Sequence, residues 1–251
     1  MMDTASGVDK TAGMQRSGLI EVAGLDAFYG QAQVLFGVSL ALSTGEVCAL
    51  IGRNGAGKTT TLKAIIGLVE ARAERINWKG EDIRKRPTHV ITSSGLGFVP
   101  EERRIFTELT VAENLEVGRQ PPRGGRAPWT VERLVRLFPN LGEMLDRPAA
   151  RMSGGEQQML TIARTLMGNP EAVLLDEPSE GLSPLIVQQM GEVVRAMKRE
   201  GIAVLLSEQN LHFAASIADR VIVMETGHIR HDGPMEAFVA DKALREKYLA
   251  V

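Results

Sequence analysis

A chain of 251 residues, 44% hydrophobic and 24% charged, has the composition of a folded globular protein and enough length to bury a core without disulfides. Its formal net charge of −2 excludes the strong basic field that draws a protein to nucleic acid, and its single cysteine, Cys48, excludes an internal disulfide and fits a reducing compartment. No run approaches the roughly eighteen apolar residues of a membrane-spanning helix, so a cytosolic chain is expected, with any membrane role carried by a partner.

The first residues, Met1 to about Gly18, are small and polar and read as a disordered leader. Three segments follow that look like antiparallel strands, Leu19 to Val22, Leu25 to Tyr29 and Val34 to Leu42, the last with the alternation Val38, Leu40, Leu42. Val47 to Ile51 is a continuous apolar run of the kind buried on both faces of a parallel sheet. Cys48 lies inside it and is expected to be a buried thiol.

Gly52-Arg53-Asn54-Gly55-Ala56-Gly57-Lys58-Thr59 follows at once and opens a helical run through Leu62, Ile65 and Ile66. Strand, glycine loop and helix N-terminus form a nucleotide-phosphate cradle. Gly55 and Gly57 let the backbone turn its N–H groups toward an anion, and the helix end adds partial positive charge. The N–H groups up to Thr60 are expected around the phosphates, with Lys58 reaching the terminal ones and the Thr59 hydroxyl on Mg²⁺.

From about Glu101 to Gly168 strand signals vanish, and a helical lobe is expected, interrupted by the loop Gln120 to Pro128. Within it Met152-Ser153-Gly154-Gly155-Glu156-Gln157-Gln158 opens a helix with the stripe Met159, Ile162, Ala163, Leu166. Ser153 and Glu156 make a capping box, and the two glycines leave N–H groups free for a second anion. Taken alone, the segment is equally a capped helix with flexible glycines. Two distant grips suit a head-to-tail pair of chains, each nucleotide held by one chain's loop and the other's Ser153 end.

Ala172 to Leu175 is an apolar strand ending in Asp176 and Glu177. Acids emerging there meet ligand in an open α/β sheet, with Asp176 suited to Mg²⁺ and Glu177 to activating water as general base. A helix begins near Ser183 and Pro184 with the stripe Ile186, Met190, Val193, Val194, Met197 and ends at Gly201. Ile202 to Leu206 and Val221 to Met224 add two more buried strands. The result is an α/β core with an antiparallel β subdomain and an inserted helical lobe. His89, His212, His228 and His231 lack metal-ligand spacing. Arg84-Lys85-Arg86, Arg123 and Arg126 read as solvated faces, while Arg103-Arg104 is open between surface ion pairing and partner contact.

The phosphate loop, MSGGE and LLDEP, in that order and spacing, resemble the ATP-binding cassettes of ABC transporters from about Leu19 to the end. The resemblance implies a P-loop NTPase (RecA-like) core with a mixed sheet, helices on both faces and a lobe inserted at about 101–168. It also implies that Tyr29 stacks on adenine, that Ser179 to Ser183 is a dimer-contact loop, and that Ser153, Gly154, Gly155 and Glu156 act on the partner's ATP. Where the family usually has glutamine entering the lobe, at the metal site, this chain has Glu101. Where it usually has a switch histidine, this chain has Gln209, which can donate a hydrogen bond to a γ-phosphate but carries no charge. GRNGAGKTTTLKAIIGL, VPEERRIFTELTVAENL, MSGGEQQML, DEPSEGLSP and SEQN together resemble the LivF-type branch of branched-chain amino acid uptake, with urea-uptake cassettes close by. That branch implies an Mg-ATPase peripheral to the cytoplasmic side of the inner membrane. Its partners would be two membrane permease subunits, a second and different cassette (or a homodimer in isolation) and, indirectly, a periplasmic binding protein.

Overall fold

The structure, a computed structural model, describes residues 18–123 and 125–249. The expected leader therefore lies outside the described residues except for Gly18, whose N–H donates to Glu21 Oε1 at 3.1 Å.

Two sheets form the molecule. One is antiparallel and contains β1 (Ile20–Tyr29), β2 (Ala32–Leu42), β4 (Glu70–Arg72), β5 (Arg75–Trp78) and β6 (Glu81–Asp82). The other is mixed, with β3 (Val47–Ile51), β7 (Leu96–Val99), β8 (Ala172–Asp176), β9 (Ala203–Glu208), β10 (Arg220–Glu225) and β11 (His228–Pro234). Its order is β11-β10-β3-β9-β8-β7, and only β11 runs antiparallel to its neighbour. The helices are α1 (Lys58–Ile65), α2 (Thr88–Ser93), α3 (Val111–Val117), α4 (Val131–Leu137), α5 (Pro139–Gly142), α6 (Gly154–Met167), α7 (Pro184–Arg199), α8 (Leu211–Ala215), α9 (Met235–Ala240) and α10 (Lys242–Leu249).

The two-residue period of a strand divides the interior into two cores. Val47, Ala49, Ile51, Val173, Leu175, Val204 and Leu206 face α6 and α7. Cys48, Leu50, Leu174, Leu205 and Ile222 face α1 and the antiparallel sheet. These central strands read as unbroken apolar runs because both faces are covered. Cys48 is fully buried, as expected, and that burial pushes its thiol well above the ordinary cysteine range.

Some sequence expectations change. The first two strand segments are a single β1, bent by register shifts beside Gly24, whose φ of 58° suits a bulge. Between β7 and β8 lie α3 to α6, as expected for the lobe. Its Arg123 and Arg126, however, are not merely solvated. Arg123 donates to the carbonyls of Gly168, of Asn169 at 3.1 Å and of Ser93 at 2.6 Å, and Arg126 donates to Gly201 O at 3.1 Å. These carbonyls lie at or just past the C-terminal ends of α6, α2 and α7, where helices leave acceptors without partners. Ser183 is the residue before α7, but its hydroxyl makes no capping bond; Pro184 at the first position starts the helix instead. Arg84 and Arg86 pair with Asp82 and Glu81 on the surface, as a solvated face requires.

Candidate active site

All the parallel strands end at one edge, and the register aligns Ile51 with Glu208 and Asp176 with Ser207. The phosphate loop leaves β3 there and enters α1 at Gly57, which has φ 104° and adds no side-chain cap. A Cβ on Gly57 would lie 2.6 Å from Leu35 Cδ2, so glycine is required for close approach as well as for the turn. The uncapped first turn opens into a cavity of about 250 Å³ lined by Val34, Asn54 to Thr60, Glu101, Glu177 and Glu180. Such an end offers backbone donors and a positive dipole to an anion.

Lys58 is 4% exposed. Its Nζ donates to Gly52 O at 2.8 Å and Arg53 O at 3.3 Å, and pairs with Glu177 Oε1 at 3.0 Å. Thr59 Oγ1 donates to Asp176 Oδ1 at 2.7 Å, and Ser207 Oγ donates to the same oxygen at 2.7 Å. Burial raises the Asp176 pKa, and the two hydroxyls work against that rise. Asp176 Oδ2 is buried and without a partner among the described residues. The Thr59 hydroxyl and the Asp176 carboxylate, with its Oδ2 unspent, are hard oxygen donors that fit Mg²⁺.

Glu177 carries a left-handed φ of 44°, a backbone strain of the sort that collects at functional sites. Its N–H donates to Ser207 Oγ at 3.0 Å and Ser207 O at 3.2 Å. Gln209 Nε2 donates to Glu177 Oε2 at 2.8 Å. Burial alone would raise the Glu177 pKa, but Gln209 and Lys58 outweigh it and hold the carboxyl below its ordinary value. At neutral pH it is a carboxylate, able to accept a proton. The neighbouring Glu180 goes the other way, raised first by its hydrogen bond to Glu177 and then by burial.

The structure thus gathers Lys58, Thr59, Asp176, Glu177 and Gln209 into one bonded cluster. Glu101 lines the same cavity but is exposed, and it makes no side-chain bond to Thr59 or Asp176. Tyr29 stands at the end of β1, 50% exposed and outside the cavity wall. Ser153 to Glu156 also lie outside it. There the capping box is formed, Ser153 N–H donating to Glu156 Oε2 at 2.7 Å and Glu156 N–H to Ser153 Oγ at 3.4 Å. Arg103 lies against Gly154 and donates to Glu180 O at 3.1 Å, while Arg104 pairs with Glu102.

Sequence reasoning missed Ser207 and Glu208. Glu208 is 2% exposed and accepts from Ser179 N–H at 3.1 Å and from the N–H groups of Gln209 and Asn210, each at 3.2 Å. Burial raises its pKa, partly offset by Ser179 and Asn210. Two polar residues closing the apolar run Ala203 to Leu206 were the available signal.

The ABC transporter family model matches residues 35–180. The branched-chain amino acid transport ATP-binding protein BraG of Pseudomonas aeruginosa is 40% identical over 225 residues, 90% of this chain and 97% of BraG. The lipopolysaccharide export ATP-binding protein LptB of Haemophilus influenzae is 33% identical, over 88% of this chain and 92% of LptB. Among solved structures, an ATP-binding subunit of an ABC transporter superposes with a TM-score of 0.77 at 31% identity, covering 92% of this chain and 96% of that one. The ADP conformation of an ATP-binding cassette of an ABC transporter superposes with a TM-score of 0.75 at 26% identity, covering 90% and 96%. With its phosphate loop, acid pair and capped glycine helix on this scaffold, the chain belongs to the ABC transporter family as an ATP-binding cassette, and it is an ATPase.

Proposed function

We propose that this cassette drives an importer for branched-chain amino acids, hydrolysing ATP at the Lys58–Glu177 cluster. The supporting observation for the chemistry is the single bonded network from Thr59 through Asp176 and Ser207 to Glu177, Lys58 and Gln209. In this reading the N–H groups of Gly55 to Thr60 and the Lys58 ammonium hold the ATP phosphates, with Gly52, Arg53, Asn54 and Ala56 shaping the loop. Tyr29 stacks on adenine. Thr59 and Asp176 would hold Mg²⁺, with Glu101 of the cavity lining as a further ligand candidate; the ion would neutralise phosphate charge. Glu177 accepts the proton of a water that attacks the γ-phosphorus, and the bond to the ADP oxygen breaks. Gln209 orients the Glu177 carboxylate and can turn its amide to the γ-phosphate.

Ser153 to Glu156 lie away from the chain's own cavity and serve the ATP of a second cassette. A cleft of about 330 Å³ between β7 and the lobe, walled by Phe106, Val117 and Arg164, suits a segment of a membrane permease. No helix among the described residues is long and apolar enough to cross a membrane; attachment to the cytoplasmic face through permeases is the reading that membership of the ABC transporter family supports. The substrate reading rests on BraG, since a cassette does not itself touch cargo. LptB is an export protein, and the greater identity to BraG (40% against 33%) weighs against export; the import direction rests on the resemblance to uptake cassettes.

The test is reconstitution in liposomes with both permeases, the second cassette and the binding protein, ATP supplied on the cassette side. ATP-dependent accumulation of labelled leucine is expected. Accumulation of urea without leucine would move the chain to the neighbouring branch, and substrate expulsion would overturn the direction.

A further inference from the structure

Thr226 and Gly227 are the two central residues of the β10–β11 hairpin, whose ends Glu225 and His228 pair directly. Both have positive φ, 47° and 76°, as a type I′ turn requires. Left-handed backbone alone does not explain the glycine, because a threonine sits beside it in the same region. Close approach does. A Cβ on Gly227 would overlap the carbonyl oxygen of Val34 and come within 2.8 Å of the Phe36 ring, and the Gly227 Cα is 3.5 Å from the Cβ position of Gly57. The turn is therefore pressed between β2 and the phosphate loop.

Its two backbone groups are spent in opposite directions. Gly227 N–H donates to Ala56 O at 2.9 Å, and Gly227 O accepts from Phe36 N–H at 3.0 Å. In a trans peptide the C=O and the following N–H point oppositely. Fixing the Ala56 carbonyl toward Gly227 therefore aims the Gly57 N–H away from it, and Gly57 lines the phosphate cavity. We infer that Gly227 is a positioning residue for ATP: through the Ala56 carbonyl it holds the Gly57 amide toward the phosphates, and through Phe36 it ties the β2 strand that carries Val34 to the same loop. The inference rests on the phosphate loop being the ATP grip.

A control is built into the fold. Lys79 and Gly80 form the matching turn between Trp78 and Glu81, with φ 54° and 79°, and a Cβ on Gly80 meets nothing within 4 Å. Gly80→Ala adds the same backbone strain with no contact to the phosphate loop. The experiment is calorimetric titration of Mg-ATP into wild type, Gly227→Ala, Gly80→Ala and Lys58→Ala, with turnover in the assembled transporter. Gly227→Ala should raise Kd about 10- to 100-fold, the range of a hydrogen bond to a charged group. Its turnover at saturating ATP should stay within about threefold of wild type, and Gly80→Ala should match wild type in both. In the wild-type chain the Gly227 amide should resist hydrogen exchange, with protection rising at least about tenfold on Mg-ATP binding, a readout that survives if Gly227→Ala does not fold. Equal weakening by Gly80→Ala, a Kd for Gly227→Ala within about twofold of wild type, or an unprotected Gly227 amide would overturn the inference. A Lys58→Ala chain that binds as wild type would instead overturn the reading of the loop itself.

Discussion

Replacing Glu177 by glutamine lowers ATP turnover by about 10²–10⁴-fold, or roughly 3–5 kcal/mol of barrier, while Mg-ATP still binds. The side chain keeps its length, so the left-handed turn and its bonds to Ser207 need not move. What is lost is the acceptor for the water proton. The wild-type carboxyl is suited to that task because Gln209 and Lys58 hold it ionised against the pull of burial. Lys58 keeps the carbonyls of Gly52 and Arg53 as partners, so the phosphate grip survives the change. Phosphate release and equilibrium nucleotide binding, measured on the same preparation, separate the two effects. Turnover within about threefold of wild type would place the base elsewhere, and a route assisted by Gln209 and the phosphate itself would fit better.

Lys58→Ala gives the second large effect, on binding. A ligand at about 100 times its Kd adds about 2.7 kcal/mol of stability, which at this chain length raises the melting point by about 5–11 °C. That rise should nearly vanish in the alanine variant. Lys58 is the cation that lines the described phosphate cavity, and a charge-assisted bond to phosphate is among the strongest polar contacts available. The ligand-free melting point should also fall, because Glu177, 8% exposed, loses its ion-pair partner. The informative quantity is therefore the difference between melts with and without Mg-ATP. An undiminished difference would remove Lys58 from the site.

Local signals gave the site its strongest features. The phosphate loop, the Asp176–Glu177 pair and the Ser153 box each fit within a few consecutive residues, and each carries its own stereochemical reason. Buried strands were legible because apolar runs without alternation need cover on both faces. The strands β4 and β6 escaped notice because they are two or three residues long and mostly exposed, with no apolar period to read, and β5, though it alternates with Ile76 and Trp78 buried, is only four residues long. Ser207 and Glu208 escaped for another reason. Their roles depend on β9 lying between β3 and β8, and strand order is a long-range property that no local pattern encodes. Arg123 reads as a solvated charge until the carbonyls it serves, 30 to 46 residues away, are seen to converge on it. Gly227 shows the same limit, since only the fold brings Val34 and Ala56 to either side of it.

In the proposed arrangement each ATP is held by the phosphate loop of one cassette and the Ser153 helix end of another. This arrangement is tested most directly by placing Ser153→Arg and Lys58→Ala in the complete transporter reconstituted in liposomes and counting active sites by single-turnover hydrolysis. Arginine puts bulk where Gly154 and Gly155 permit close approach, and alanine removes the phosphate grip. With both changes on this chain and a wild-type partner cassette, no intact site is expected, because the two changes fall on two different composite sites. With Lys58→Ala here and the matching serine change on the partner, both fall on one site and the other remains active. A doubly substituted chain that still leaves one fully active site beside a wild-type partner would contradict the shared arrangement.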